Sequence, residues 1–331
     1  MQKRFWMIWL LLCCTTPVFA TSDFSQRKDV KAFIQQTSKK YHFSKDYLTK
    51  IFRSVKLHRG INQEIRAPKE SNPWYSYQMI FVTEWRIRAG VKYWNEHEAI
   101  LKKVEQEFGV PASIIVATIG VETKYGKRVG NYRVIDALSS LAFNNYHRTK
   151  FFRNELKEFL LLTREEKLDP LRVMGSYAGA IGQPQFMPSS YRRYAVNFSG
   201  RSRINLLNDD TNVIASIANY YEKQGWETNE PIVVPTLISK DYNRTNFIDN
   251  PKPFYLSKSE LAKYGIMPKN SQADNYKVNL IRLDGNDSEE YWLGFHNFNV
   301  IKRYNNSNLY AMAVYQLSYY IEALKEKNKN A

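Results

Sequence analysis

The sequence predicts a mainly helical chain of the α+β class, and three observations carry that reading. Apolar residues recur at helical spacing through two long blocks, 27–105 and 109–225. Between 231 and 295 the pattern changes to short runs of β-branched and apolar residues bounded by Pro, Asn and Ser. After Phe295 the chain turns helical again, from about Leu309 to Lys325. With 331 residues the chain is long enough to bury more than one core, and no internal repeat or low-complexity tract is present.

The first element is not expected to belong to the fold. Lys3 and Arg4 precede an apolar run from Phe5 to Cys14, and Thr15-Thr16-Pro17-Val18-Phe19-Ala20 ends it. A basic start, a short apolar stretch and a small residue at the end make residues 1–20 a cleavable signal peptide, cut after Ala20. The run is too short to span a bilayer as a stable helix. Lipidation is disfavoured, since Leu12 and Cys13, rather than a small residue, precede the two cysteines. Those are the chain's only cysteines, so the exported form has no thiol, no disulfide and no Cys-based metal site or nucleophile. The formal charge is +16, or +14 once Lys3 and Arg4 are removed. Such a protein is weakly attracted to anionic envelope surfaces. Nucleic acid is not expected as a partner: the basic residues are scattered, and no zinc finger, RNA-binding strand motif or long basic helix is present.

In the first block, Val30-Lys31-Ala32-Phe33-Ile34 and Tyr47-Leu48-Thr49-Lys50-Ile51-Phe52 carry helical spacing, and Arg66–Pro73 reads as a loop. The second block divides into helices over 111–125, about 149–164, about 188–196 and about 211–224, with loops rich in Gly, Asn and Ser between them. Ile232–Ile238 and Tyr276–Leu283 read as strands. Ser257 and Glu260 have the spacing of a capping box that opens a short helix through Leu261 to Tyr264.

The helix over 111–125 opens at Pro111 and is expected to stop at Gly126. Glu122 lies seven, four and three residues after Ile115, Thr118 and Ile119, so all four share one face. A carboxyl group on an apolar face loses hydration, which favours its neutral form and raises its pKa. A carboxylic acid still protonated near neutral pH can give a proton to a leaving group. On this helix alone the plainer reading, a helix-end carboxylate paired with Lys124 or Arg128, is slightly ahead. Two further runs reverse that order. Gly175-Ser176-Tyr177-Ala178-Gly179-Ala180-Ile181-Gly182-Gln183-Pro184-Gln185-Phe186-Met187-Pro188-Ser189-Ser190-Tyr191 crowds small residues and amides together. Small residues let backbone approach a ligand, and Ser and Gln offer hydrogen bonds, although Gly-Ala segments also serve close helix packing. The other run is Phe298-Asn299-Val300-Ile301-Lys302-Arg303-Tyr304-Asn305, followed by Tyr310-Ala311-Met312-Ala313-Val314.

Ile119-Gly120-Val121-Glu122-Thr123, the Gly175–Tyr191 run and Arg303-Tyr304-Asn305, in that order, resemble the membrane-bound lytic murein transglycosylase B family. The likeness extends from about Val30 to Leu324. It implies a lysozyme-like helical catalytic core with a flanking helical domain and a small β-containing domain. The corresponding divisions are 21–108 for the N-terminal helical domain, 109–230 for the core, 231–295 for a small α/β insertion and 296–331 for a segment returning to the core. The resemblance further implies cleavage of the β-1,4 bond between N-acetylmuramic acid and N-acetylglucosamine in peptidoglycan strands, without water, leaving a 1,6-anhydro sugar. Glu122 matches the sole catalytic carboxyl. Ser176 and Gln185 match polar residues of the sugar subsites. Tyr77, Tyr220, Tyr304, Asn305 and Tyr310 match aromatic and amide residues of the groove. For any single tyrosine, half-buried core is an equal reading.

The residues agree with a single-acid mechanism. Acetal cleavage needs a proton on the departing oxygen and stabilisation of an oxocarbenium-like centre, and most glycosidases use two carboxylates for this. No second acid lies near Glu122 in sequence, and the closest, Asp136 and Asp169, look like loop or helix-cap residues. The residues alone give glycan cleavage with one acid; the anhydro product comes from the resemblance. A hydrolytic muramidase and a non-catalytic peptidoglycan-binding protein are the alternatives. No cofactor is expected. Members of the family can carry a calcium loop after the Tyr191 helix. Here Asn197, Ser199, Arg201 and Arg203 form a degenerate version, with Arg201 at an expected ligand position and Ser202 at the turn. The expectation is no calcium, with Arg201 or Arg203 bridging to Asp209 or Asp210. The effect of Gln183-Pro184 on the subsites is left open.

Overall fold

The computed structural model describes residues 23–58, 60–61, 72–144, 148–239, 254–255, 257–269 and 277–330. The signal peptide expected at 1–20, most of the loop expected at 66–73 and Tyr276 of the second expected strand lie outside these. The chain forms two units, one ending at Val55 and the other beginning at Lys56.

In the first unit a 3-10 turn, Phe24–Gln26, leads to α1 (Lys28–Tyr41) and α2 (Lys45–Arg53). His42, in the left-handed conformation, ends α1. The Ser44 side chain caps α2 by accepting from the Tyr47 amide at 3.3 Å. Val30, Ile34, Leu48, Ile51 and Phe52 are buried between the helices, and Phe33 meets Phe52 edge-on with centroids 5.7 Å apart.

The second unit opens with α3 (Trp74–Phe81), α4 (Glu84–Glu96), α5 (Glu98–Phe108) and α6 (Ala112–Thr123). It continues with α7 (Val134–Phe143), α8 (Thr149–Glu165), α9 (Pro188–Tyr194) and α10 (Asp210–Lys223). Every residue of α6 except Glu122 is buried. A helix apolar on all sides needs neighbours on all sides. Here α4, α5, α10 and the last helix, introduced below as α13, pack around it. The anticipated apolar face is therefore one side of a central helix.

The end of α6 departs from expectation. The helix stops at Thr123, and Lys124 (φ 53°), Tyr125 (φ 59°) and Gly126 (φ 77°) are all left-handed. Lys124 N donates to Gly120 O at 3.2 Å and Tyr125 N to Ile119 O at 3.3 Å, which closes the last turn ahead of the glycine. Gly126 is thus the third residue of the reversal and not its start.

Beyond α10 lies a five-stranded antiparallel sheet: β3 (Val233–Ile238), β4 (Phe254–Tyr255), β5 (Ile266–Pro268), β6 (Lys277–Asp284) and β7 (Glu289–Gly294), in the order β4-β6-β7-β3-β5. A two-stranded ladder, β1 (Tyr132–Arg133) with β2 (Met174–Gly175), precedes it in the chain. Short α11 (Lys258–Lys263) carries the capping box expected at Ser257 and Glu260. Its Leu261 joins Val234, Ile266, Val278, Leu280, Leu293 and Phe295 in a core on one face of the sheet. Then come α12 (His296–Tyr304) and the long α13 (Asn308–Lys329). The sequence reading lacked α7, the short strands β1, β2, β4 and β5, and also β7 and α12. β7 begins with two acidic residues, and α12 buries Asn297 (0% exposed), whose amide donates to Glu227 O at 2.7 Å. Neither pattern signals its element. Among the described residues no single helix is long and apolar enough to cross a membrane.

Candidate active site

Glu122 is the penultimate residue of α6, at the end where the helix dipole opposes negative charge. Its side chain is half-buried. Ile115, Thr118 and Ile119, on the same side of the helix, are all fully buried. Tyr310, in the first turn of α13, donates its hydroxyl to Glu122 Oε1 at 2.7 Å. Tyr310 reaches that position because the Ser307 side chain caps α13, accepting from the Leu309 and Tyr310 amides.

Around this pair the fold gathers aromatic rings. Tyr304 lies nearly parallel to Tyr310, with centroids 6.2 Å apart and planes at 14°. Tyr220 and Tyr221, both on α10, stand edge-on or tilted to Tyr304 at 4.8 and 5.6 Å. Phe186 closes the group, 5.7 Å from Tyr220 and 5.8 Å from Tyr304. Each phenol is tied down. Tyr304 donates to Pro184 O at 2.6 Å and Tyr220 to Arg303 O at 2.6 Å. Tyr221 meets Thr118 Oγ1 at 2.9 Å. Thr118 spends its own proton on Ile114 O, so the tyrosine is the donor in that pair. Burial, followed by the negative charge of Glu122, raises the Tyr304 and Tyr310 hydroxyls well above the ordinary phenol range. Both are therefore donors at any physiological pH. Tyr221 is raised as well, chiefly by burial.

The Gly175–Tyr191 run leads from the end of β2 through a loop into α9. Ser176 accepts from the Ala178 and Ala180 amides at 3.3 and 3.0 Å, which leaves its own proton to offer outward. Gln185 (φ 50°) donates both amide hydrogens, to Val129 O at 3.1 Å and Gly182 O at 2.8 Å, so the group it can present is its carbonyl oxygen. Gly182 is required by space: a Cβ there would lie 2.3 Å from Leu206 O. The Gln183-Pro184 pair joins the loop to the site. Thr123, next to Glu122, donates to Gln183 O at 3.0 Å, while Tyr304 takes the neighbouring carbonyl of Pro184.

The structure thus brings Glu122, Tyr220, Tyr304 and Tyr310 together and anchors the loop that carries Ser176 and Gln185 beside them. Asn305 follows Tyr304 and is exposed. Tyr77 is 1% exposed, packed in α3 against Phe81 (4.6 Å) and Trp74 (6.4 Å), and Tyr310 and Tyr220 are nearly as buried, at 2% and 7%. Tyr221, Thr118 and Phe186 were not singled out as site residues. The adjacent tyrosines on one buried helix are the signal that could have found Tyr221. Asp136 is held by Arg133 through two hydrogen bonds of 2.7 and 2.9 Å and by the Lys56 amide, so it is a structural residue of α7. Asp169 is committed to the turn at Leu171.

In the segment after α9, Arg201 Nη1 lies 3.6 Å from Asp209 Oδ2, and the Asn197 amide donates to Arg201 O. Arg203 turns elsewhere, toward the carbonyls of Glu166 and Lys167 at 3.5 and 3.4 Å. Of the pairings expected between Arg201 or Arg203 and Asp209 or Asp210, Arg201 with Asp209 lies within ion-pair distance. A guanidinium beside the buried carboxylate, with an amide turned to donate, is a poor donor set for a hard cation that needs six to eight oxygens.

The family model for the Transglycosylase SLT domain matches residues 25–319. This chain belongs to that family. It is 38% identical over 305 residues to membrane-bound lytic murein transglycosylase B of Escherichia coli (strain K12), covering 89% of this chain and 83% of that protein. The crystal structure of soluble lytic transglycosylase SltB1 from Pseudomonas aeruginosa is 43% identical, with a TM-score of 0.83 over 90% of this chain and 99% of that one. The Escherichia coli lytic transglycosylase Slt35 in complex with calcium is 37% identical, with a TM-score of 0.83, covering 92% and 95%. These relatives cover about nine-tenths of this family member.

Proposed function

We propose that this family member is a lytic transglycosylase that cleaves the β-1,4 bond between N-acetylmuramic acid and N-acetylglucosamine in peptidoglycan, with Glu122 as its single acid and base. The observation that carries this reading is the Tyr310–Glu122 hydrogen bond at the edge of the tyrosine group. By donating to Oε1, Tyr310 directs the acid's proton to Oε2. That proton passes to the glycosidic oxygen as the bond to muramic C1 breaks, and the departing glucosamine leaves with a hydroxyl. The substrate's own N-acetyl group stabilises C1. The Glu122 carboxylate then takes the proton from the C6 hydroxyl as that oxygen attacks C1, which closes the 1,6-anhydro ring and restores the acid. No water is consumed. The attack is intramolecular and gains from effective concentration. The half-buried Tyr304 suits the apolar face of a sugar ring, with the buried Tyr220, Tyr221 and Tyr310 packed around it, and Ser176 and Gln185 suit sugar hydroxyls and N-acetyl groups. Asn305 would serve at the rim.

In this reading residues 109–230 are the catalytic core and 296–331 return to it with Tyr304 and Tyr310. Residues 1–20 direct export to the periplasm, and the positive charge favours residence near anionic envelope surfaces. Arg201 supplies the positive charge beside Asp209, and no calcium is bound there. The test is turnover of purified murein sacculi. Wild-type protein solubilises them and Glu122→Gln does not; equal turnover by the two would refute the assigned role.

A further inference from the structure

Glu122 projects from backbone held by a second device, which does not touch the tyrosine group. Lys124 and Tyr125 both adopt the left-handed conformation, which costs free energy for residues with a Cβ and persists only where the surroundings enforce it. The enforcement comes from Tyr125. Its ring turns back along α6 and inserts between α6 and α4. A Cβ on Gly120 of α6 would lie 2.5 Å from its hydroxyl oxygen and 2.7 Å from Cζ; a Cβ on Gly90 of α4 would lie 2.7 Å from the same oxygen. The phenol therefore occupies a slot that exists because both helices carry glycine there. At the end of the slot the hydroxyl donates to Arg86 O at 2.7 Å. The Tyr93 ring covers it, with centroids 5.6 Å apart.

Arg86 holds the same place from the other side. It is 5% exposed, and its Nε donates to Gly120 O at 3.1 Å, the carbonyl that also receives Lys124 N. Its Nη1 bonds to Ile80 O at the end of α3, and Phe81 lies under the guanidinium at 5.2 Å. A cation at the C-terminal carbonyls of a helix is favoured by the helix dipole. Tyr125 and Arg86 thus grip the last turn of α6 at Gly120, two residues before Glu122, and set the reversal that begins two residues after it.

We propose that Tyr125 is a positioning residue: seated in the Gly90–Gly120 slot and backed by Arg86, it fixes the backbone from which Glu122 presents its proton. The proposal rests on the assignment of Glu122 as the acid. A displacement of about 1 Å in a reacting group can cost on the order of a hundredfold in rate, so a device that sets the backbone has catalytic leverage without contact with substrate.

The test compares Tyr125→Phe, which keeps the ring and removes the bond to Arg86 O, with Gly120→Ala, which drives a methyl into the ring. Solubilisation rates on sacculi are measured well below each protein's melting temperature. Phe159→Leu, a buried change in α8 away from the slot, serves as a control for lost stability. The expected result is a fall in kcat of about tenfold for Tyr125→Phe and more for Gly120→Ala, with the apparent KM for sacculi within about twofold of wild type. Phe159→Leu keeps the wild-type kcat. Wild-type kcat in Tyr125→Phe, or a loss no greater than that of Phe159→Leu, would overturn the proposal. Glu122→Gln, run alongside, separates the two assignments. If it is inactive while Tyr125→Phe is normal, only the positioning role fails; if it turns over, the acid assignment fails and the positioning role with it.

Discussion

Tyr310 and Glu122 lie 188 positions apart in the chain and 2.7 Å apart in space. The bond joins the first turn of the last helix to the end of the central one, and it makes the orientation of the acid depend on the far end of the chain. Removing the hydroxyl takes one donor away from Oε1. Tyr310→Phe is expected to lower kcat on sacculi by about ten- to a hundredfold, the range set by about 1.5–3 kcal/mol for a hydrogen bond to a charged group. The ring stays in place, but the bond is lost from the folded state as well, so the melting temperature should fall by a few degrees. Solubilisation assays and thermal melts on the same preparation check both parts.

The buried phenols make stability fall at alkaline pH. Tyr304, Tyr310 and Tyr93 are raised well above the ordinary range, chiefly by burial, and Tyr191 is pushed up to about 12. Each binds its proton more tightly folded than unfolded. Their contribution is therefore complete below the unfolded phenol value, about 10, and is lost as pH climbs through the folded values. A spectrophotometric titration should show a group of tyrosines that ionise only together with unfolding. Ionisation of all tyrosines at ordinary pH in the folded protein would contradict this.

Glu155 gives a similar dependence in the acidic range. It is 2% exposed on α8 and accepts from Ser189 N at 3.0 Å and Ser189 Oγ at 2.8 Å, which caps the start of α9 from another helix. Burial outweighs those bonds and raises its carboxyl above the usual range. The folded state therefore favours the protonated form. Relative to Glu155→Gln, the wild type should be most stable below the unfolded carboxyl value and lose ground as pH rises through the folded one. Glu155→Ala, which leaves the Ser189 amide without its acceptor, should cost about 1–3 kcal/mol in denaturant melts.

The Arg201–Asp209 pair predicts indifference to calcium. Arg201 is largely exposed and Asp209 is 5% exposed, so the pair contributes at most about 1 kcal/mol. Arg201→Ala should lower the melting temperature slightly. Millimolar calcium should leave the wild-type melting temperature unchanged. A rise that grows with calcium concentration, the signature of binding to the folded state, would contradict this.

The legible parts of the fold were those with local signals. The capping box at Ser257 and Glu260, the helix from Thr149 and the strand ending at Ile238 follow from spacing and turn chemistry within a few residues. Glu122 was legible because a lone acid in an apolar run conflicts with burial. The end of α6 was not, because Lys124 and Tyr125 take left-handed conformations imposed by packing in the Gly90–Gly120 slot, a contact between distant segments. α12 was missed for a similar reason: Asn297 is buried only because carbonyls near residue 230 accept its amide hydrogens. Tyr77, Tyr220 and Tyr310, all matched to the groove by resemblance, are 1%, 7% and 2% exposed, and nothing in sequence separates a groove ring from a packed one. Tyr221, adjacent to Tyr220, was passed over although it lies fully buried against Tyr304.

The most direct test of one acid acting without water is mass spectrometry of the muropeptides released from sacculi by the wild-type protein. The expected products end in 1,6-anhydromuramic acid, lighter by one water than their reducing counterparts, and Glu122→Gln should release none. Reducing-end products from the wild type would contradict this.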